Sequence, residues 1–130
     1  MSTRCRIAYR RPDNTVVSIY CHHDGYPDGV GQMLKDFYTD SDIIEQLMAL
    51  GDLSSLGEKP VSDPKAWTDH TIDTTKCVAY KDRGENTPAQ VHTGLKEYLN
   101  DLKDGLQEEY NYLFYRGIWH ELELVLDILQ

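Results

Sequence analysis

The chain has 130 residues, 40% of them hydrophobic and 27% charged, a balance that supports one folded domain with a core and excludes a disordered chain. Its formal net charge of −9 argues against sequence-independent binding to nucleic acid or anionic membranes, which needs a cationic footprint, and suits attraction to a basic partner. No apolar run reaches the roughly 18 residues that cross a membrane, and the start MSTRCRIAYRR lacks the apolar stretch of a signal peptide, so the expected location is the cytoplasm.

Arg4 to Arg10 alternates, with Cys5, Ile7 and Tyr9 on one side and Arg4, Arg6 and Arg10 on the other. Pro12-Asp13-Asn14 is turn chemistry. Val17, Ile19 and Cys21 then alternate with Val16, Ser18 and Tyr20, which completes a β-hairpin. The arginine side reads as a solvated strand face, with a homodimer contact as the alternative.

The stretch SIYCHHDGYPDGVG, residues 18–31, turns the strand into a helix. Asp-Gly and then Pro end the extended run, and Val30, Met33, Leu34, Phe37 and Tyr38 recur with helical spacing. A second helix follows the cap signal Thr39-Asp40-Ser41, with Ile43, Ile44, Leu47 and Met48 as its apolar face and Gly51 as its stop. Leu53 and Leu56 are expected to tuck one more turn onto the core. Residues 58–75 read as a long polar loop pinned by Trp67.

Cys77 to Tyr80 reads as a short strand and KDRGENTP as a charged loop. Leu95, Tyr98, Leu99 and Leu102 define a third helix, capped by Thr93 and ended by Gly105. Tyr110, Tyr112 and Phe114 alternate along a strand, Arg116-Gly117 turns the chain, and Ile118 begins the return strand. The tail LELVLDILQ fits either a strand or a helix. The order ββ–αα–β–α–ββ predicts a single α+β domain over residues 1–130. Its sheet is mostly antiparallel, built from an N-terminal and a C-terminal hairpin, with about three helices packed on one face.

Candidate chemistry concentrates in two places. In Cys21-His22-His23-Asp24, alternation splits the four side chains between two faces, leaving two ligands per face where zinc needs three or four. His70, His92 and His120 lack the spacing of a local site, so no metal and no cofactor is assigned. Glycines before a helix can receive an anion, but no P-loop lysine follows and Asp28 would repel a phosphate. The second place, Lys81-Asp82-Arg83-Gly84-Glu85, reads either as surface ion pairs or as an arginine held by acids and aimed at an anionic ligand. His22 or His120 with Asp82 or Glu85 could form an acid–base pair. No nucleophile motif is present, and no catalytic residue is assigned. The three cysteines, Cys5, Cys21 and Cys77, form no CxxC and read as reduced thiols. The nine tyrosines read mainly as core and sheet-face residues, and any exposed ones would suit protein contact.

The segments SIYCHHDGYPDGVGQMLKDFYTD, LMALGDLSSLG, AYKDRGEN and YNYLFYRGIW together resemble a family of small uncharacterised phage and prophage proteins. That family carries YCHWDGYP, then ALGDISSLG, then YGRDRGE, then a closing aromatic hairpin, in the same order over nearly the whole chain. His22, Asp24, Gly25, Tyr26 and Pro27 match the first motif, and Asp82, Arg83, Gly84 and Glu85 match the third. His23 stands where the family has tryptophan, which marks it as a packing residue, and Lys81 stands where the family has an arginine. The resemblance implies an accessory protein acting in the bacterial host cytoplasm, where such proteins interfere with host machinery or defence.

Two functional expectations follow. The first is a non-enzymatic protein that binds a host protein through an acidic, tyrosine-rich surface, with counter-defence as the context. The second is a small anionic ligand or nucleotide held by His22, Asp24, Tyr26, Asp82, Arg83 and Glu85. That site would serve sequestration or hydrolysis.

Overall fold

The computed structural model describes residues 3–68, 75–104 and 109–122. Both expected hairpins form. β1 (Cys5–Arg10) and β2 (Val16–Cys21) pair antiparallel from Cys5 opposite Cys21 to Arg10 opposite Val16. β7 (Tyr110–Tyr115) and β8 (Ile118–Glu121) pair across the two-residue turn Arg116-Gly117, whose φ angles of 54° and 79° match the twist a tight hairpin needs.

The two hairpins meet in parallel, with β1 alongside β7 from Cys5 opposite Tyr110 to Tyr9 opposite Phe114. On the far side of β2 lie β3 (Leu53–Ser55), parallel, and β6 (Gln90–His92), antiparallel. β5 (Lys76–Ala79) pairs antiparallel with β3, and β4 (Lys59–Ser62) closes that edge parallel to β5. Among the described residues the sheet has eight strands, and four of its seven pairings are antiparallel. The α+β class holds, and the sheet is mixed.

Two short strands replace segments read otherwise from the sequence, and a third forms where none is assigned. Leu53 begins a strand rather than a helical turn. The expected 58–75 loop contains β4 and a four-residue helix, α3 (Lys65–Thr68). Gln90–His92, assigned to no element from the sequence, is a strand. Strands of three or four residues are too short to display a period, and their pairing depends on neighbours remote in sequence.

A single π-turn over Pro27–Gly31 leads into α1 (Gln32–Phe37), and α2 (Ser41–Ala49) follows. Asp40 caps α2 by accepting from the Asp42 N–H at 2.8 Å, and Gly51 (φ 76°) turns the chain after it. α4 (Leu95–Asp104) is the fourth helix. The expected Gly105 stop and the tail at 123–130 lie outside the described residues.

The helices cover both faces of the sheet, not one. Ile7, Tyr9, Val17, Ile19, Tyr112 and Phe114 form one core with α1 and α2. Ala8, Val16 and Leu113, the alternate positions of the same strands, form a second with Tyr98 and Leu102 of α4. The arginine face of β1 is solvated only in part: α4 lies over its middle and Arg6 is 2% exposed, whereas Arg10 is half-buried and Arg4, just before the strand, is exposed. Among the described residues no helix is long and apolar enough to cross a membrane.

Candidate acidic docking site at the strand–helix turn

β2 does not simply stop at Cys21. The His22 N–H donates to Leu53 O at 3.0 Å and the His23 N–H to Ser54 O at 2.9 Å, which carries the pairing with β3 two residues further. Asp24 then takes a positive φ of 59°, and the Gly25 N–H donates to Thr3 O at 2.8 Å. At Gly25 a Cβ would stand 2.8 Å from both Cys5 Cβ and Thr3 O, so only glycine lets the turn pass this close to β1. The Tyr112 hydroxyl donates to Gly25 O at 2.7 Å and anchors the same turn from β7.

The chain then coils tightly. Tyr26 O accepts from the Gly29 N–H at 2.9 Å and from the Gly31 N–H at 3.4 Å, while Asp24 O accepts from Val30 N–H at 2.8 Å. This coil puts Asp24, Tyr26 and Asp28 around a cavity of about 190 Å³, walled also by His23, Met33 and Leu56. The Tyr26 hydroxyl reaches Asp24 Oδ1 at 3.4 Å, and the tyrosine is 41% exposed. Among the described residues no lysine or arginine is in the wall.

His22 is engaged by Tyr20, whose hydroxyl lies 2.5 Å from Nδ1. Desolvation, with the neighbouring His23 and Arg4 adding to it, holds the His22 pKa below the ordinary histidine value. Tyr20 and His22 share this hydrogen bond, with its direction set by the tautomer of the ring.

The DRGE segment sits at the same end of the sheet with β3 between it and the turn, because Leu53 pairs with Cys21 on one side and Ala79 on the other. Residues Tyr80–Arg83 form a 3-10 turn that ends at Gly84, φ 93°. Arg83 stacks over Trp67 at 4.4 Å and Tyr80 at 5.1 Å and donates from Nε to Glu85 Oε2 at 2.6 Å. Trp67 donates from Nε1 to Ala79 O at 2.9 Å, so it does pin its segment to the sheet. Asp82 is mostly buried beside Lys81, with Nζ 3.3 Å from Oδ1. Of the six residues singled out from the sequence, Asp24 and Tyr26 share the cavity wall. Asp82, Arg83 and Glu85 belong to a separate cluster, and His22 is engaged with Tyr20.

Two features carried no local signal. Asp52 spans the gap between the motifs: Oδ1 accepts from the Tyr20 N–H at 2.9 Å, its carbonyl accepts from the Tyr80 N–H at 3.2 Å, and its N–H donates to Thr87 O at 2.9 Å. Burial raises its carboxyl pKa above the ordinary aspartate value, against the lowering effects of the Tyr20 N–H and Arg6.

The second is a chain of contacts through Arg6, Ser18, His92 and Asp101. Arg6 Nε donates to Ser18 Oγ at 3.0 Å, Ser18 Oγ lies 3.0 Å from His92 Nε2, and His92 Nδ1 lies 2.6 Å from Asp101 Oδ2. The order is that of a serine-hydrolase triad. Ser18, however, is 0% exposed, so its oxygen meets no substrate, and the chain acts as a tie between α4 and the sheet. Among the described residues no three His, Cys, Asp or Glu side chains gather as metal ligands do.

These features define an α+β protein with a mixed sheet covered on both faces and an acidic cavity where its second strand turns into a helix. No family model, curated protein or solved structure matches the chain.

Proposed function

We propose that this chain is a phage- or prophage-encoded accessory protein that binds a host protein and interferes with it, with counter-defence in the host cytoplasm as its context. The origin rests on the resemblance of its four segments to the phage family. The binding mode rests on one observation: the cavity lined by Asp24, Asp28 and the half-exposed Tyr26, with no lysine or arginine in its wall among the described residues. Such a cavity suits a lysine or arginine side chain of a basic partner, held by two carboxylates with a tyrosine face beside it. The overall charge of −9 adds long-range attraction to the same class of partner. A nucleotide at this turn has less support, since two carboxylates face the cavity and Arg83 is engaged with Trp67, Tyr80 and Glu85.

The test is affinity capture from lysate of a bacterial host, comparing the wild type with the Asp24→Asn/Asp28→Lys double variant. The expected result is a basic protein retained by the wild type and lost by the variant, with salt-sensitive binding. Equal retention by both proteins would remove the acidic turn as the docking site.

A further inference from the structure

At the opposite end of the sheet the charge has the other sign. The tips of the two hairpins lie side by side because β1 and β7 run parallel, and between them is a cavity of about 360 Å³. Arg10, Arg11, Asn14, Ser41, Tyr115 and Arg116 line it, and among the described residues no aspartate or glutamate does. The nearby acids are engaged elsewhere. Glu45 holds Arg11 through two hydrogen bonds of 2.9 and 3.0 Å, Asp13 accepts from Thr15, and Asp40 caps α2.

Among the described residues Arg10 and Arg116 have no carboxylate partner. Their guanidinium carbons lie 4.7 and 5.2 Å from the centre of the same Tyr115 ring, so the two cations are within about 10 Å of each other. Arg10 Nη2 donates to Asn14 Oδ1 at 2.7 Å, while its buried Nε has no hydrogen-bond partner among the described residues. Two like charges gathered on one ring repel, and an unpaired buried N–H is costly, so both features call for an anion. The positive φ of 54° at Arg116 is the one the tight hairpin turn requires, and it holds the guanidinium at the hairpin tip.

We propose that this cleft is a binding site for a small molecule carrying a diphosphate group, gripped by Arg10 and Arg116, with Asn14 and Ser41 as polar neighbours. The guanidinium fork matches phosphate oxygens, and two such forks match two phosphoryl groups. The volume is that of a small-ligand pocket. The site is independent of the acidic turn and of the proposal made for it.

Titration with inorganic pyrophosphate, followed by calorimetry and by amide shifts in NMR, tests the assignment. Saturable 1:1 binding is expected, with shifts at Arg10, Asn14, Ser41, Tyr115 and Arg116. Arg116→Gly suits the positive φ and keeps the turn while removing the guanidinium, so it is expected to weaken binding about tenfold or more with no loss of stability. Arg10→Gln is expected to weaken it similarly, and Arg4→Gln, outside the cleft, to leave it unchanged. A nucleoside diphosphate that binds more tightly than pyrophosphate identifies a nucleotide as the ligand, whereas equal affinity makes the diphosphate the whole recognition element. Either result supports the site. No saturable binding, unchanged affinity in Arg116→Gly, or response to duplex DNA but not to pyrophosphate would overturn it.

Discussion

The Tyr112 hydroxyl donates to the Gly25 carbonyl at 2.7 Å across a separation of 87 residues. This bond, with the Gly25 N–H donating to Thr3 O, clamps the strand–helix turn between β1 and β7. Tyr112→Phe is expected to cost about 1–2 kcal/mol, the worth of a buried hydrogen bond whose carbonyl partner is left unsatisfied. Gly25→Ala is expected to cost more, about 3 kcal/mol, because its Cβ would meet backbone and not a flexible side chain. Urea unfolding midpoints compare the two, and Gly25→Ala should be the less stable.

His92 holds α4 to the sheet, bonded to Ser18 and Asp101 and packed edge-on against Tyr98 at 4.8 Å. His92→Ala is expected to cost roughly 3 kcal/mol through lost packing and stranded partners. Asp101→Ala removes only a half-exposed acceptor and is expected to cost about 1 kcal/mol. Hydrogen exchange should show faster exchange in α4 for both variants, and more so for His92→Ala. A result with the order reversed would place the tie at Asp101 instead.

Asp52 gives stability a pH dependence with a definite sign. Its carboxyl pKa is raised in the fold, so the folded protein holds that proton more tightly than the unfolded chain. This group's contribution is therefore most favourable when Asp52 is protonated, and it worsens as pH rises from the ordinary aspartate value through the raised one. Asp52→Asn keeps an acceptor for the Tyr20 N–H and carries no charge. The variant is expected to be more stable than wild type near neutral pH, with the gain shrinking in acid. Urea melts at about pH 7 and about pH 4 measure the difference.

His22 shows the opposite dependence. Its lowered pKa means the unfolded chain binds the proton more readily, so its contribution is fully present above the ordinary histidine value and is lost as pH falls through the lowered one. With Nδ1 as the acceptor, the Tyr20 hydroxyl supports the neutral ring. Tyr20→Phe is expected to move the His22 titration, followed by NMR, upward toward the ordinary value. A downward move would mean that Nδ1 is the donor.

The elements legible beforehand were those long enough to repeat. Six residues of alternation set β1, β2 and β7, and the 3.6-residue spacing of Ile44, Leu47 and Met48 set α2. The juxtaposition of Asp24 and Tyr26 on one cavity wall was legible because the turn that orients them is local, built from Asp24, Gly25 and Pro27. The strands β3, β4 and β6 were not, since three or four residues show no period.

By itself the sequence determined where the chain alternates, coils and turns, because side-chain direction along a strand or helix follows from backbone geometry one residue at a time. Which elements lie together was decided only by the tertiary structure, where both faces of the sheet had to be buried. The parallel meeting of β1 and β7 brought Arg10 to Arg116 and Gly25 to Tyr112, and the placing of α4 buried Arg6 and joined His92 to Asp101. Such contacts between remote residues depend on how distant segments close on one another, and the segments carry no local trace of that closure.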